Sequence, residues 1–194
     1  MSTMRRRDVV AALLAERGDL LVVSGLGSTT YDCAAAGDHP LNFYLWGAMG
    51  GAAMIGLGLA LAQPKRRALV ITGDGEMLMG VGSLATIATR RPANLAIAVI
   101  DNERYGETGM QATHTASGVD LAGMARAAGI ASTATVSREA ELKGAIDTLR
   151  RAPGPVFTVI KVDAARDPFA LPPRDGVLLK HRFRAALLGE AAAN

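Results

Sequence analysis

A single cysteine, Cys33, stands among the 194 residues, so no disulfide framework and no cysteine-ligated cluster can be built within this chain. Aromatic residues make up only 4%, too few to interleave a basic surface with the stacking platforms that single-stranded nucleic acid prefers. Charge of one sign is not concentrated either. The net charge is +3, and the basic residues fall in short groups, Arg5-Arg6-Arg7, Lys65-Arg66-Arg67, Arg90-Arg91 and Lys180-His181-Arg182, which read as solvated helix ends rather than a phosphate-backbone track. No apolar run reaches the roughly twenty residues of a membrane span. The stretch that comes nearest, Gly50 to Ala62, stops at Gln63-Pro64-Lys65-Arg66-Arg67. A secretory leader is not indicated, because Asp8 and the Glu16 to Asp19 segment interrupt the sequence after the first arginines. The expected location is cytoplasmic.

What is present is an alanine-, valine- and glycine-rich chain, 49% apolar, long enough to bury a sizeable core as one domain over 1–194. Its organising stretch is Ala68-Leu69-Val70-Ile71-Thr72-Gly73-Asp74-Gly75-Glu76. A short β-branched run closed by Gly-Asp-Gly reads as a buried strand ending in a turn. Met77 to Arg91 is predicted as a helix closed by Pro92, and Leu95 to Asn102 as a second strand. Strand, helix and strand with so short a return form a βαβ unit with parallel strands. If the strands are neighbours, Asp74 and Asn102 emerge about 5 Å apart at one sheet edge, the edge where open α/β sheets bind ligands. A carboxylate and an amide oxygen beside backbone N–H groups suit a diphosphate carrying magnesium, which takes oxygen ligands and leaves room for phosphate and water. The fold class that follows is α/β, an open parallel sheet in three layers with helices on both faces.

Gly73-Asp74-Gly75, twenty-six residues, then Asn102 resembles the signature of thiamine-diphosphate enzymes, the 2-oxo-acid decarboxylases, acetolactate synthases and transketolases. The resemblance implies that Asp74 and Asn102 bind Mg2+ through side chains and Arg104 through its carbonyl, that backbone at Gly75, Glu76, Gly106 and Glu107 meets the diphosphate, and that Gly73 and Tyr105 also belong to the cofactor site. Asn42 to Gly50, NFYLWGAMG, resembles the decarboxylase segment that grips the aminopyrimidine. It implies that the Gly47 carbonyl accepts from the amino group and that Met49 wedges beneath the thiazolium, although a methionine can equally fill a core gap. YGETGMQ, Tyr105 to Gln111, resembles the YGxTGGQ of phosphonopyruvate and sulfopyruvate decarboxylases, with Met110 at a usual glycine, and places Thr108 at the catalytic lid.

The remaining elements are read in order. Val9, Val10, Leu13 and Leu14 recur at helical spacing, and Leu20 to Val23 is a strand opening into the Ser24 to Thr30 loop. Ser28 and Thr29 there either contact the cofactor or belong to a flexible turn. Gly51, Gly56 and Gly58 permit helix Gly50 to Ala62 to approach the sheet or a partner. Gly80-Val81-Gly82-Ser83-Leu84-Ala85 matches a dinucleotide pattern, but the turn after the strand is already Gly73-Asp74-Gly75 and Gly80 is expected inside the helix, which argues against a nicotinamide dehydrogenase. A polar loop runs to Gly118 and carries His114, either a proton shuttle or a solvated histidine. Asp120 to Gly129 is read as a helix, Ile130 to Val136 as a strand, Ser137 to Arg151 as a helix capped by Ser137, and Pro155 to Val162 as the last strand. The tail from about 172 to 194 is read as a docking arm.

In the family, a glutamate from a separate domain activates the pyrimidine ring. Glu76, Glu103 and Glu107 all fall at the phosphate end, and Glu16, Glu139, Glu141 and Glu190 have no motif around them. The expectation is therefore the beta subunit of a split decarboxylase that turns a small acidic 2-oxo acid into an aldehyde and carbon dioxide. A pyrimidine-domain alpha subunit would complete the site in a hetero-oligomer. The alternatives are an acetolactate-synthase-like carboligase subunit and a non-catalytic phosphate-binding assembly subunit.

Overall fold

The computed structural model describes residues 4–189. The last five positions of the expected docking arm lie outside the described residues. In chain order the elements are α1 (Arg6–Leu14), β1 (Leu21–Ser24), α2 (Ser28–Ala35), β2 (Asn42–Tyr44), α3 (Ala52–Ala62), β3 (Ala68–Gly73), α4 (Asp74–Met79), α5 (Ser83–Arg90) and β4 (Leu95–Asp101). There follow β5 (Arg104–Tyr105), β6 (Gln111–Ala112), a single 3-10 turn at His114–Ser117, α6 (Leu121–Ala127), β7 (Ser132–Val136), α7 (Glu139–Arg151), β8 (Val156–Lys161) and α8 (Gly176–Leu188).

Six strands pair in the order β2-β1-β3-β4-β8-β7, every pair parallel. The expected open parallel sheet is present. Because side chains alternate along a strand, β3 feeds two cores. Val70 joins Val23, Ile97, Val99 and Val159 under α3, α5 and α6, while Leu69 and Ile71 join Val22, Ala98 and Ile160 under α1, α2 and α7. Helices therefore cover both faces, which makes the three layers.

Several boundaries differ from the sequence reading, each for a local reason. The helix expected over Met77 to Arg91 starts earlier, at Asp74, and breaks between α4 and α5 at Gly80 to Gly82. A Cβ on Gly80 would lie 2.2 Å from the Gly50 carbonyl oxygen, so the bare glycine lets the loop before α3 lie against the break. Gly80 thus sits at the end of α4 and not inside a helix. The Ser24 to Thr30 loop is shorter than read, since Ser28 already opens α2. Strand β7 begins at Ser132 rather than Ile130, because Ile130 completes the end of α6: its N–H reaches Ala125 O at 3.0 Å and the Gly129 N–H reaches Arg126 O at 3.0 Å, the paired bonds of a Schellman motif. Ser137 does not cap α7. Glu141 reaches back instead, its Oε2 accepting from the N–H groups of Ser137 and Arg138 at 3.2 Å each.

The polar loop after β4 is partly ordered by its own hairpin, with Arg104 paired to Ala112 and Tyr105 to Gln111. At its tip Met110 takes φ 65°, the left-handed region that disfavours a residue with a Cβ. The C-terminal segment turns back on its own sheet edge. Trp46 Nε1 donates to Pro173 O at 2.8 Å, the Arg174 guanidinium lies 5.1 Å over the Trp46 ring, and Phe183 packs edge-on to Phe43 with centroids 5.8 Å apart. Val177, Leu178 and Leu188 stay exposed. No helix of the described residues is long and apolar enough to cross a membrane.

Two substitutions test this packing. A Cβ at Gly56 would sit 2.2 Å from Val70 Cγ2, so Gly56→Ala is expected to cost about 1–3 kcal/mol in urea unfolding; an unchanged midpoint would contradict the α3–β3 contact. Met110→Gly is expected to raise the melting temperature, the gain being up to about 1 kcal/mol, whereas a fall would show that the left-handed tip carries no strain.

Candidate active site

Parallel pairing of β3 with β4 puts Gly73 opposite Ile100, so the chain leaves both strands at the same edge of the sheet. Asp74 and Asn102, the next positions out, line one cavity of about 270 Å3. The same cavity gathers Ser28, Thr29, Met49, Gly73, Gly75, Glu76, Arg104, Tyr105, Gly106, Glu107 and Thr108, which sequence reasoning had nominated from four separate stretches. Gly75 has to be bare: a Cβ there would lie 2.4 Å from the Tyr105 ring, so the aromatic side chain rests directly on the turn after β3.

Asp74 is 2% exposed. Its Oδ2 accepts from the Thr113 hydroxyl and, at 3.1 Å, from the Thr115 hydroxyl, yet among the described residues no lysine, arginine or histidine pairs with it. Its neighbour on β4 is treated differently, since Asp101 has Lys161 at 2.9 Å. Burial, reinforced by the Asp101 charge and opposed by the threonine bonds, pushes the Asp74 carboxyl up to about 6. A buried carboxylate without a counter-charge is costly unless a cation is supplied. The Asp74 carboxylate and the Asn102 amide oxygen, which line the same cavity, are hard oxygen donors of the kind that Mg2+ accepts. Asn102 Oδ1 also accepts the Arg104 N–H at 3.1 Å, which fixes the amide in one orientation. The residues fit a divalent cation.

Glu76 lines the cavity, and its carboxylate is spent on bonds within the protein. Oε2 accepts from the Leu26 N–H and the Thr72 hydroxyl, both at 2.9 Å, and burial raises its carboxyl above the ordinary range despite those bonds. The side chain therefore ties the end of β3 to the loop after β1. Glu107 is held from the other side by the Tyr31 hydroxyl at 3.3 Å.

Two nominated residues lie apart. Gly47 sits exposed in a bend before α3 and outside the cavity lining, although Met49 two positions on lines it. His114 is exposed on the 3-10 turn, likewise outside the lining. The reason is alternation: Thr113 and Thr115 turn inward to Asp74, so the residue between them faces solvent. Those two threonines, Asp101 and Lys161 were missed from the sequence. The only signal was a threonine pair two apart beyond the second strand, which carries no chemistry until the fold puts it over Asp74.

Residues 25–160 match the family model described as thiamine pyrophosphate enzyme, C-terminal TPP binding domain. The chain is 34% identical to the sulfopyruvate decarboxylase subunit beta of Methanocaldococcus jannaschii over 187 residues, covering 94% of this chain and 97% of that subunit. It is 37% identical to the phosphonopyruvate decarboxylase of Streptomyces viridochromogenes, covering 89% of this chain but only 44% of that enzyme. Among solved structures, a candidate thiamin diphosphate-dependent enzyme from Mycobacterium smegmatis superposes with a TM-score of 0.68 at 24% identity, over 84% of this chain and 32% of that one, a likeness of fold. The sheet-edge carboxylate, the asparagine beside it and these matches lead to one conclusion: the chain belongs to the thiamine pyrophosphate enzymes and carries their C-terminal TPP-binding domain.

Proposed function

We propose that this chain is the beta subunit of a split thiamine-diphosphate-dependent decarboxylase acting on a small acidic 2-oxo acid of the sulfopyruvate or phosphonopyruvate kind. It would work in a cytoplasmic hetero-oligomer whose alpha subunit supplies the pyrimidine-side glutamate. The observation that carries the reading is the buried Asp74 carboxylate, which has no cationic partner among the described residues and shares a cavity with Asn102. The subunit names of the archaeal relatives, and a match covering nearly all of one of them, support the split.

Asp74, Asn102 and the Arg104 carbonyl would hold Mg2+, and the backbone at Gly73, Gly75, Glu76, Tyr105, Gly106 and Glu107, with Ser28 and Thr29 across the cavity, would receive the diphosphate. When bound, the cofactor supplies a carbanion nucleophile and an electron sink for decarboxylation. The protein's own tasks are to orient and to exclude water. Met49, which lines the cavity, would supply the wedge, the Gly47 carbonyl would serve the pyrimidine side, and the β5–β6 hairpin with Thr108 would act as the lid. His114, facing solvent, could act on a proton only if a partner chain closed over it. Exposed Met54, Ile55 and Leu61 on α3, apolar positions on a helix that also packs the core, support contact with another subunit.

Calorimetric titration of the native complex with thiamine diphosphate and Mg2+ tests the assignment. Uptake is expected with the unaltered chain and lost in Asp74→Asn; uptake that survives the substitution, or none in either protein, would sink it. Because a proton competes with the cation for Asp74, affinity should approach its full value only well above pH 6 and fall about tenfold per unit well below it. Product analysis with two 2-oxo acids separates an aldehyde-releasing decarboxylase from a carboligase.

A further inference from the structure

Asp74 is the end of a buried polar chain that runs across three segments. Thr113 and Thr115 both bond its Oδ2, and their own oxygens lie 2.9 Å apart. The single Thr115 hydroxyl proton is shared between Asp74 Oδ2 at 3.1 Å and Asp101 Oδ1 at 2.8 Å. Asp101, at the last position of β4, stands in register with Lys161 at the end of β8 and pairs with it at 2.9 Å, and Lys161 reaches Glu103 at 2.6 Å. The Thr113 N–H closes the circuit on Glu103 O at 3.1 Å. Thr113, Thr115, Asp74 and Asp101 are all at least 95% buried, so the bonds among these four are shielded from water.

The arrangement has a consequence for geometry. A carboxylate on a turn after a strand has free χ rotations, and a metal ligand must be held in one of them. Both hydroxyls reach the same oxygen, Oδ2, and neither reaches Oδ1, so together they fix which oxygen is engaged by the loop in a residue that also lines the cavity. Each threonine is β-branched and stiff at χ1, and each is fixed in turn: Thr115 by Asp101, which the Lys161 ammonium anchors to the sheet. The threonines also sit on the same loop, 103–118, whose earlier residues Arg104, Gly106 and Glu107 line the cavity. Ordering of the loop and orientation of the carboxylate are thereby one event.

We infer that Thr113 and Thr115 are positioning residues for the Asp74 metal ligand, held in place by the Asp101–Lys161 pair, so that the order of the loop after β4 and the binding of the cation reinforce each other. This rests on the proposed metal role of Asp74. Removal of hydrogen-bond partners behind a metal ligand typically lowers metal affinity about 10–100-fold, and coupling is reciprocal, so the cation must also stabilise the loop.

The test uses Mn2+ as the probe, titrated with thiamine diphosphate into the native complex and followed by the electron paramagnetic resonance of free Mn2+, together with hydrogen exchange over residues 104–118. The unaltered complex is expected to take up Mn2+ and to slow exchange in the loop. Thr113→Val and Thr115→Val, which keep side-chain shape, should each weaken Mn2+ about 10–100-fold and lose the slowing, while Thr113→Ser and Thr115→Ser restore both. Valine variants that bind Mn2+ as the unaltered complex does would overturn the inference and leave the function standing. An unaltered complex that takes up no Mn2+ would overturn both. Valine variants with lowered melting temperature but intact affinity would reduce the hydroxyls to a packing role and likewise overturn the inference.

Discussion

A buried carboxylate at the end of a central strand, charged at neutral pH and without a cationic partner among the described residues, is the constraint on which the rest of the structure turns. Asp74 sits where β3 meets α4, nearly closed to solvent, and the low-dielectric surroundings that raise its carboxyl toward 6 make an external cation the natural remedy. The adjoining Asp101 shows the other solution, a lysine on the neighbouring strand at 2.9 Å. Two aspartates a strand apart, one neutralised from within and one left open toward a cavity, divide structural from ligand-binding duty.

The fold supplies that division by register. Parallel pairing carries Gly73 to Ile100 and Asp101 to Lys161, so the carboxyl ends of β3, β4 and β8 meet along one edge, where ligands bind in sheets of this kind. Loops after β1, β3 and β4 then converge. Glu76 fastens the first to the second through Leu26, and Thr113 fastens the third to the second through Asp74. The loops are thus braced against one another by buried polar bonds, which is what a preorganised site needs.

Much of this could be read in the sequence because it depends on short-range pattern. The β-branched run into Gly73-Asp74-Gly75, the apolar run into Asn102 and the distance between them specify a βαβ unit and bring two oxygen ligands to one edge without knowledge of any other contact. What could not be read depends on packing between distant segments. Gly80 breaks the helix because Gly50 lies on it, thirty positions away in the chain. Glu141 replaces Ser137 as the cap because its longer side chain reaches both N–H groups. Thr113 and Thr115 gain meaning only when the loop folds across Asp74, and His114 loses its place beside the site for the same reason. Met110 shows the converse: the unusual side chain at a turn position was evident in the sequence, and the structure locates its backbone at φ 65°.

The central claim is that two side chains from adjacent strand ends grip one metal ion. Anomalous diffraction from crystals of the complex loaded with thiamine diphosphate and Mn2+ would place that ion directly. The account requires a single peak within bonding reach, roughly 2.0–2.3 Å, of one Asp74 carboxylate oxygen and the Asn102 amide oxygen together. A peak bound elsewhere, or one touching Asp74 while Asn102 points away, would contradict it.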